Sequence, residues 1–376
     1  MFYLVLTVGL LLAVVNDKKM ISLLIFTSII SLLAFLRYGI GADYFSYELL
    51  YYYINESPFK EFFAESAHGE IGFRLFGSVL KGVGVPYQLY LIIIATINII
   101  FVWKLVKKYS LNPTLSLVIY FAFFYFVWTF SGLRQGLTLV IGMYYLLEAI
   151  EKNKTLKIIL VCLALSLIHA SALVLIFFYF ITKINFNKKQ LMLLAIIGFL
   201  LSFLPLNLIL TYLTWIPIIE NISPYASYAG GLNSLDFAGI IRILLLIFVF
   251  VYYDSYSSKN FMNKKILDIY IISLILYFSM QSLGELTAAR FSIYGKYLEV
   301  IILANIYYLH RKRIDKLIYS YGLIIICSLY LYKETNTLEA QSGLVNSSKH
   351  IPYVNIFNQE DYIFNKTAYD ILKRLR

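Results

Sequence analysis

Long unbroken apolar runs, separated by short Lys-rich stretches, constrain this chain more than any other feature. Of its 376 residues, 60% are hydrophobic and 14% charged, and the mean hydropathy is +0.76. A water-soluble domain needs far more polar surface, and a disordered or fibrous chain carries far fewer apolar residues, so both are excluded. A membrane barrel would alternate apolar and polar residues along strands of ~10 residues. The runs here are continuous, as in helices that cross a bilayer. The expected fold is an all-α polytopic membrane protein.

Twelve spans are expected, at 2–15, 20–36, 87–103, 114–130, 133–150, 156–168, 171–182, 191–214, 237–253, 266–283, 291–309 and 316–332. Basic clusters lie at Lys18–Lys19, at Lys104, Lys107 and Lys108, at Lys152, Lys154 and Lys157, at Lys183, Lys188 and Lys189, at Lys259, Lys264 and Lys265, and at Arg311–Arg313 with Lys316. They hold more than half of the 32 Lys and Arg, and all fall on one side if the spans alternate. That side is the cytoplasm. The net charge of +11 is thereby used for topology, and no nucleic-acid partner is expected. Asp43, Glu48, Glu56, Glu61, Glu65 and Glu70 crowd an outer loop at 37–86. Further outer segments follow at 215–236 and 284–290. Residues 1–332 read as one transmembrane domain and 333–376 as an extracytoplasmic C-terminal tail. The run Phe2–Val15 lacks a basic flank and a small-residue cleavage site, so it reads as a retained span. Cys162 and Cys327 both sit in apolar runs and match neither a disulfide framework nor a metal motif.

Spans 156–168 and 171–182 give only about 18–20 Å of helix each, at 1.5 Å per residue, where a crossing takes ~30 Å. Both outer flanks of the pair are Lys-rich. The pair is therefore a short helical hairpin over 156–182, and its tip, Ile168-His169-Ala170-Ser171, stops below the outer surface. Backbone at that depth must line water or be buried in protein.

Four polar groups lie toward the outer side. Arg37-Tyr38-Gly39-Ile40-Gly41-Ala42-Asp43-Tyr44 leaves span 20–36 through a glycine turn, with Arg37 and Asp43 bracketing it. Arg and Tyr also serve as interfacial anchors. Arg134 stands in a very short connection between two apolar spans, where a guanidinium suits bidentate binding of phosphate oxygens. The alternative is a snorkelling side chain. His169 at the hairpin tip can act as base or donor; a lone His on an apolar face also serves structurally. Arg290 and Lys296 lie in Gly284–Tyr297, where they bind an anion or pair with Glu285 and Glu299. Arg242, one turn into its span, is a fifth cation. Five cations at one level suit a pyrophosphate. Tyr44, Tyr225 and Tyr228 can stack on sugar faces or belong to an aromatic belt. No Walker A, GxSxG or HExxH sequence occurs.

With these residues in view, the chain resembles the EpsG-type family of Wzy-like polysaccharide polymerases. The motifs that carry the resemblance are RYGIGADYFSY at Arg37–Tyr47, HGEIGFRL at His68–Leu75, SGLRQGLTL at Ser131–Leu139, IHASAL at Ile168–Leu173 and ARFSIYGKY at Ala289–Tyr297. The resemblance implies a GT-C-like glycosyltransferase architecture in the bacterial cytoplasmic membrane, with its active site facing outward. It implies polymerisation of O-antigen, capsule or exopolysaccharide repeat units. The glycan on one undecaprenyl pyrophosphate would pass to a sugar hydroxyl on a second, with membrane lipid and a chain-length regulator protein as further partners. Arg134 and Arg290 would hold the pyrophosphate, with Arg37, Arg242 and Lys296 beside them. Asp43, Glu70 and His169 are candidates for the base. No metal and no cofactor is expected. A lipid-linked oligosaccharide flippase and an O-antigen ligase are the alternatives. A flippase should show inverted repeats and charges along a central path, and neither is visible in the sequence.

Overall fold

The computed structural model describes residues 1–14, 19–64, 69–204, 237–345 and 353–375. Among them the secondary structure is helical, and the only β pairing is two isolated bridges, Arg37 with Asn355 and Leu344 with Phe364. Among the described residues three helices are long and apolar enough to cross a membrane: α6 (Tyr87–Tyr109), α12 (Phe237–Ser257, with its apolar part from Gly239) and α16 (Arg313–Ser342). Shorter apolar helices are also present, among them α1 (Phe2–Val14), α2 (Lys19–Leu36), α7 (Pro113–Phe123) and α9 (Thr155–Ser166). An all-α fold with apolar helices is what the hydropathy pattern requires.

The chain forms two compact units. One comprises Met1–Tyr144, Leu163–Ala172 and Leu303–Arg376, and the other Tyr145–Cys162 and Leu173–Ile302. In the first unit, α1, α2, α6, α7 and α16 pack against one another. In the second, α11 (Lys188–Leu201), α12, α13 (Phe261–Gln281) and α14 (Glu285–Lys296) form the core, with α10 (Val174–Ile181) against α14.

Several elements differ from the expected spans. The run 114–130 is not one helix: α7 stops at Phe123, and Phe126–Ser131 is π-helical. Wider π turns leave backbone groups looking for partners. Here Asn98, 1% exposed and between α6 neighbours, donates to the Trp128 carbonyl at 3.4 Å and accepts from the Tyr120 hydroxyl at 3.0 Å. The run 291–309 is also divided, between α14 and α15 (Glu299–Ile306). The second half of the expected span 191–214 lies outside the described residues.

The outer loop 37–86 is folded over its described residues. It carries α3 (Tyr44–Tyr53), α4 (Pro58–Phe62) and the amphipathic α5 (Ile71–Gly82). Arg74 of α5 pairs with Glu61 of α4 at 3.3 Å, and Glu61 also accepts from the backbone and side-chain amides of Asn55, both at 2.9 Å. The described parts of the C-terminal segment, 343–345 and 353–375, are folded too. The segment leaves α16 through left-handed Gly343 and returns to α3 as α17 (Thr367–Leu375). Phe364 packs on Tyr38 and Phe45, and the Tyr353 hydroxyl donates to the Leu33 carbonyl at 2.8 Å.

Candidate active site

Four of the five motifs meet in the first unit, and the contacts can be followed residue by residue. Arg37 is 1% exposed. Its Nη1 donates to the carbonyls of Ile40 at 2.8 Å and Phe130 at 2.6 Å, and its Cζ lies 4.6 Å from the centre of the Phe130 ring. Carbonyls at a helix end lack intrahelical donors, so Arg37 closes both its own turn and the end of the π segment. The Ala42 amide adds a bond to Ser131 Oγ at 3.0 Å. Gly41 has φ 124°, and a Cβ there would lie 2.6 Å from the Phe130 carbonyl oxygen. The glycines of this turn are thus required by a close backbone approach. Arg37, expected beside a pyrophosphate, is committed to main-chain carbonyls and positions the turn.

The π segment ends at Gly132, and α8 (Leu133–Lys152) starts at once, which places Arg134 in its first turn. Gly136 allows the fit, since a Cβ there would run into the Trp128 carbonyl. Arg134 forms an ion pair with Glu70, and the two side chains are 31% and 27% exposed. Glu70 is the N-cap of α5, and its Oε1 accepts from the Ala170 amide at 3.4 Å. The hairpin tip is held by a second bond, from the Gly72 amide to the Leu167 carbonyl at 2.8 Å. A Cβ on Gly72 would lie 2.7 Å from that same oxygen. The hairpin helices are short, as the sequence implies, and a 3₁₀ turn at Ala170–Leu173 joins them.

Tyr47 also hydrogen-bonds to Arg134. Burial pushes its hydroxyl pKa up, the Arg134 charge opposes that shift, and the nearby Asp43 carboxylate adds to it. The phenol therefore stays protonated at neutral pH. Asp43 itself is exposed at the N-cap position of α3. His169 is half-buried, and its Nδ1 lies 2.8 Å from Ser171 Oγ and accepts from the Ser171 amide at 3.3 Å. With Nδ1 as acceptor, a neutral ring carries its proton on Nε2 and is a donor there. Asp43, Tyr47, Glu70, Arg134 and the His169 tip thus form one constellation.

Tyr44 is placed differently from the sugar-stacking role expected of it. It is 2% exposed and packed among Tyr38, Phe45 and Tyr87, so its ring faces protein. Tyr225 and Tyr228 lie outside the described residues.

The remaining cations belong to the second unit. Arg242 donates to the Tyr277 hydroxyl, and its Cζ stands 3.8 Å from the centre of that ring. Glu299, 1% exposed, accepts from the Tyr270 hydroxyl at 3.0 Å and feels the charges of Lys296 and Arg242. Arg290 is half-buried on α14. The pairing of Lys296 with a glutamate was one of the readings open in the sequence. Glu299 was otherwise passed over, and so was Tyr47. The signal for Tyr47 was its place four residues after Asp43, on the same helical face.

No curated protein and no solved structure matches this chain. A family model does: that of the EpsG family, over residues 20–355, and it spans all five motifs. With most of its length matched and four of the motifs joined in one constellation, the chain belongs to the EpsG family.

Proposed function

We propose that this protein is a membrane-embedded polysaccharide polymerase. It transfers a glycan from undecaprenyl pyrophosphate to a sugar hydroxyl of a second lipid-linked repeat unit, at the outer face of the bacterial cytoplasmic membrane. The observation that carries the reading is the half-exposed Arg134–Glu70 pair, bordered by Tyr47 and the His169 tip. Membership of the EpsG family supports it.

The bond that breaks joins the anomeric carbon to the pyrophosphate oxygen, and the bond that forms joins that carbon to the acceptor oxygen. Negative charge grows on the departing diphosphate. Arg134 offers a planar fork of donors to it, at the first turn of α8, where the helix dipole also favours an anion. Tyr47 and the Nε2–H of His169 supply neutral donors. Such preorganised groups act on the transition state, and one lost donor typically costs ~10²–10³ in rate. A diphosphate arriving at Arg134 competes with Glu70 for the guanidinium. Glu70, no longer paired, takes the proton of the acceptor hydroxyl, and Asp43 is the second candidate for that role. Charge neutralisation by arginine makes the reaction metal-independent in this reading. For Arg290, Arg242 and Lys296 of the second unit the proposal is anion binding by that unit's own helices, with Glu299 balancing part of their charge. The product is an O-antigen, capsule or exopolysaccharide, with a chain-length regulator as partner.

The test is the surface glycan of a deletion strain, resolved on a gel. Loss of a polymerase leaves a single repeat unit attached to its surface anchor, and that is the expected pattern. A strain with no repeat unit at the surface would assign the protein to export instead.

A further inference from the structure

A second site lies one helical turn from Tyr47. A cavity of about 330 Å³ opens between α3, the Gly84–Val85 turn and α17. It is at the small end of the range for ligand pockets, about 300–1,000 Å³, and one sugar ring is of the right size for it.

Its lining is aromatic and acidic. Tyr51, Tyr52 and Tyr87 contribute ring surface. Two of their hydroxyls are already committed, Tyr51 to the Val85 carbonyl and Tyr87 to the Tyr44 carbonyl, each at 2.7 Å. That leaves the rings as apolar faces, which suit the C–H face of a pyranose. Glu48 and Glu56 add carboxylate oxygens, which accept hydrogen bonds from hydroxyls. The one cation in the wall, Lys81, is engaged by the carbonyls of Tyr52 at 2.6 Å and Ile54 at 2.7 Å. The wall therefore carries net negative charge and disfavours a diphosphate. It favours a neutral, hydroxyl-rich ring.

The last wall is Leu372 and Leu375 of α17. These residues lie beyond the span 20–355 that the family model matches. Residues Tyr47 and Tyr51 are one turn apart on α3, with Cβ atoms about 5–6 Å apart. A ring in the cavity would thus be close along the glycan to a sugar reacting at Arg134.

We propose that this cavity is a carbohydrate subsite, which holds one neutral sugar of the bound glycan near the sugar that reacts. The proposal rests on the polymerase reading, and its test separates the two. Leu375→Trp fills the cavity from its exposed rim, and Glu56→Gln removes one exposed carboxylate. Both are introduced in the native strain beside Arg134→Ala, and surface glycan length and membrane abundance of the protein are measured. A hydrogen bond to a charged group is worth about tenfold or more in affinity. The expected result is polymer of at least about twofold shorter modal length in both pocket variants, at unchanged abundance, and no polymer in Arg134→Ala. Unchanged length in both pocket variants, with Arg134→Ala still devoid of polymer, overturns the subsite and leaves the polymerase reading intact. Normal polymer in Arg134→Ala removes both. If Leu375→Trp lowers abundance, Glu56→Gln decides alone.

Discussion

Arg37 and Arg134 look alike in the sequence, since each follows an apolar run and precedes a glycine within two residues. Their roles diverge through burial. Arg37 is enclosed and bound to two carbonyls, whereas Arg134 keeps 31% of its side chain exposed and meets a carboxylate. Sequence alone carries no signal for that difference, because it is set by which backbone ends at each guanidinium. Tyr47 carries only one mark in the sequence, its spacing from Asp43, and with 34 Tyr in the chain that spacing does not single it out. At this scale Glu70 gives a sharp prediction. Glu70→Gln keeps a hydrogen bond to Arg134 but cannot accept a proton. If Glu70 is the base, turnover by the purified enzyme falls ~10²–10⁴-fold, the usual contribution of acid–base catalysis. A rate within threefold or so of wild type would make Glu70 a positioning residue and pass the proton to Asp43.

Among the elements, the π segment and the hairpin carry the site. The hairpin was legible, because two short apolar runs between Lys-rich flanks allow little else. The π segment was not. Residues 114–130 are apolar but for Thr114, Ser116 and Thr129, and so few polar marks show no period from which a change of helical type could be read. The break depends on Arg37, Ala42 and Asn98, which bond to carbonyls and a hydroxyl around it. Gly136 is its packing key. Gly136→Ala forces a methyl group against the Trp128 carbonyl, a form of overpacking that costs about 1–3 kcal/mol. The expected outcome is a lower melting temperature in detergent together with reduced polymer. An unchanged melting temperature would mean that α8 and the π segment move apart at no cost. Arg74→Ala tests the outer loop in the same way. It strands Glu61, which is 1% exposed, and breaking a buried pair costs ~3–5 kcal/mol; protease sensitivity between α3 and α5 should rise, and wild-type resistance would contradict this.

Across the whole molecule, the apolar pattern correctly indicated an all-α chain, and five short motifs identified its family over residues 20–355. The C-terminal return escaped notice. Its last helix, Thr367–Leu375, is amphipathic, but the sequence does not say where that face docks; what docks the segment is a handful of aromatics, Tyr353, Phe364 and Tyr369, whose partners are more than 300 residues earlier. Phe364→Ala should destabilise the protein by about 3–5 kcal/mol, as deletion of a buried aromatic does, and should loosen the turn that Arg37 closes. Full polymer and wild-type melting would show the tail to be dispensable. The central claim is that Arg134 holds the departing diphosphate. It is tested most directly by turnover of a lipid-linked repeat unit by purified Arg134→Ala protein in nanodiscs. The account predicts a fall of ~10²–10³ in rate with folding unchanged; a rate equal to that of the wild-type protein would contradict it.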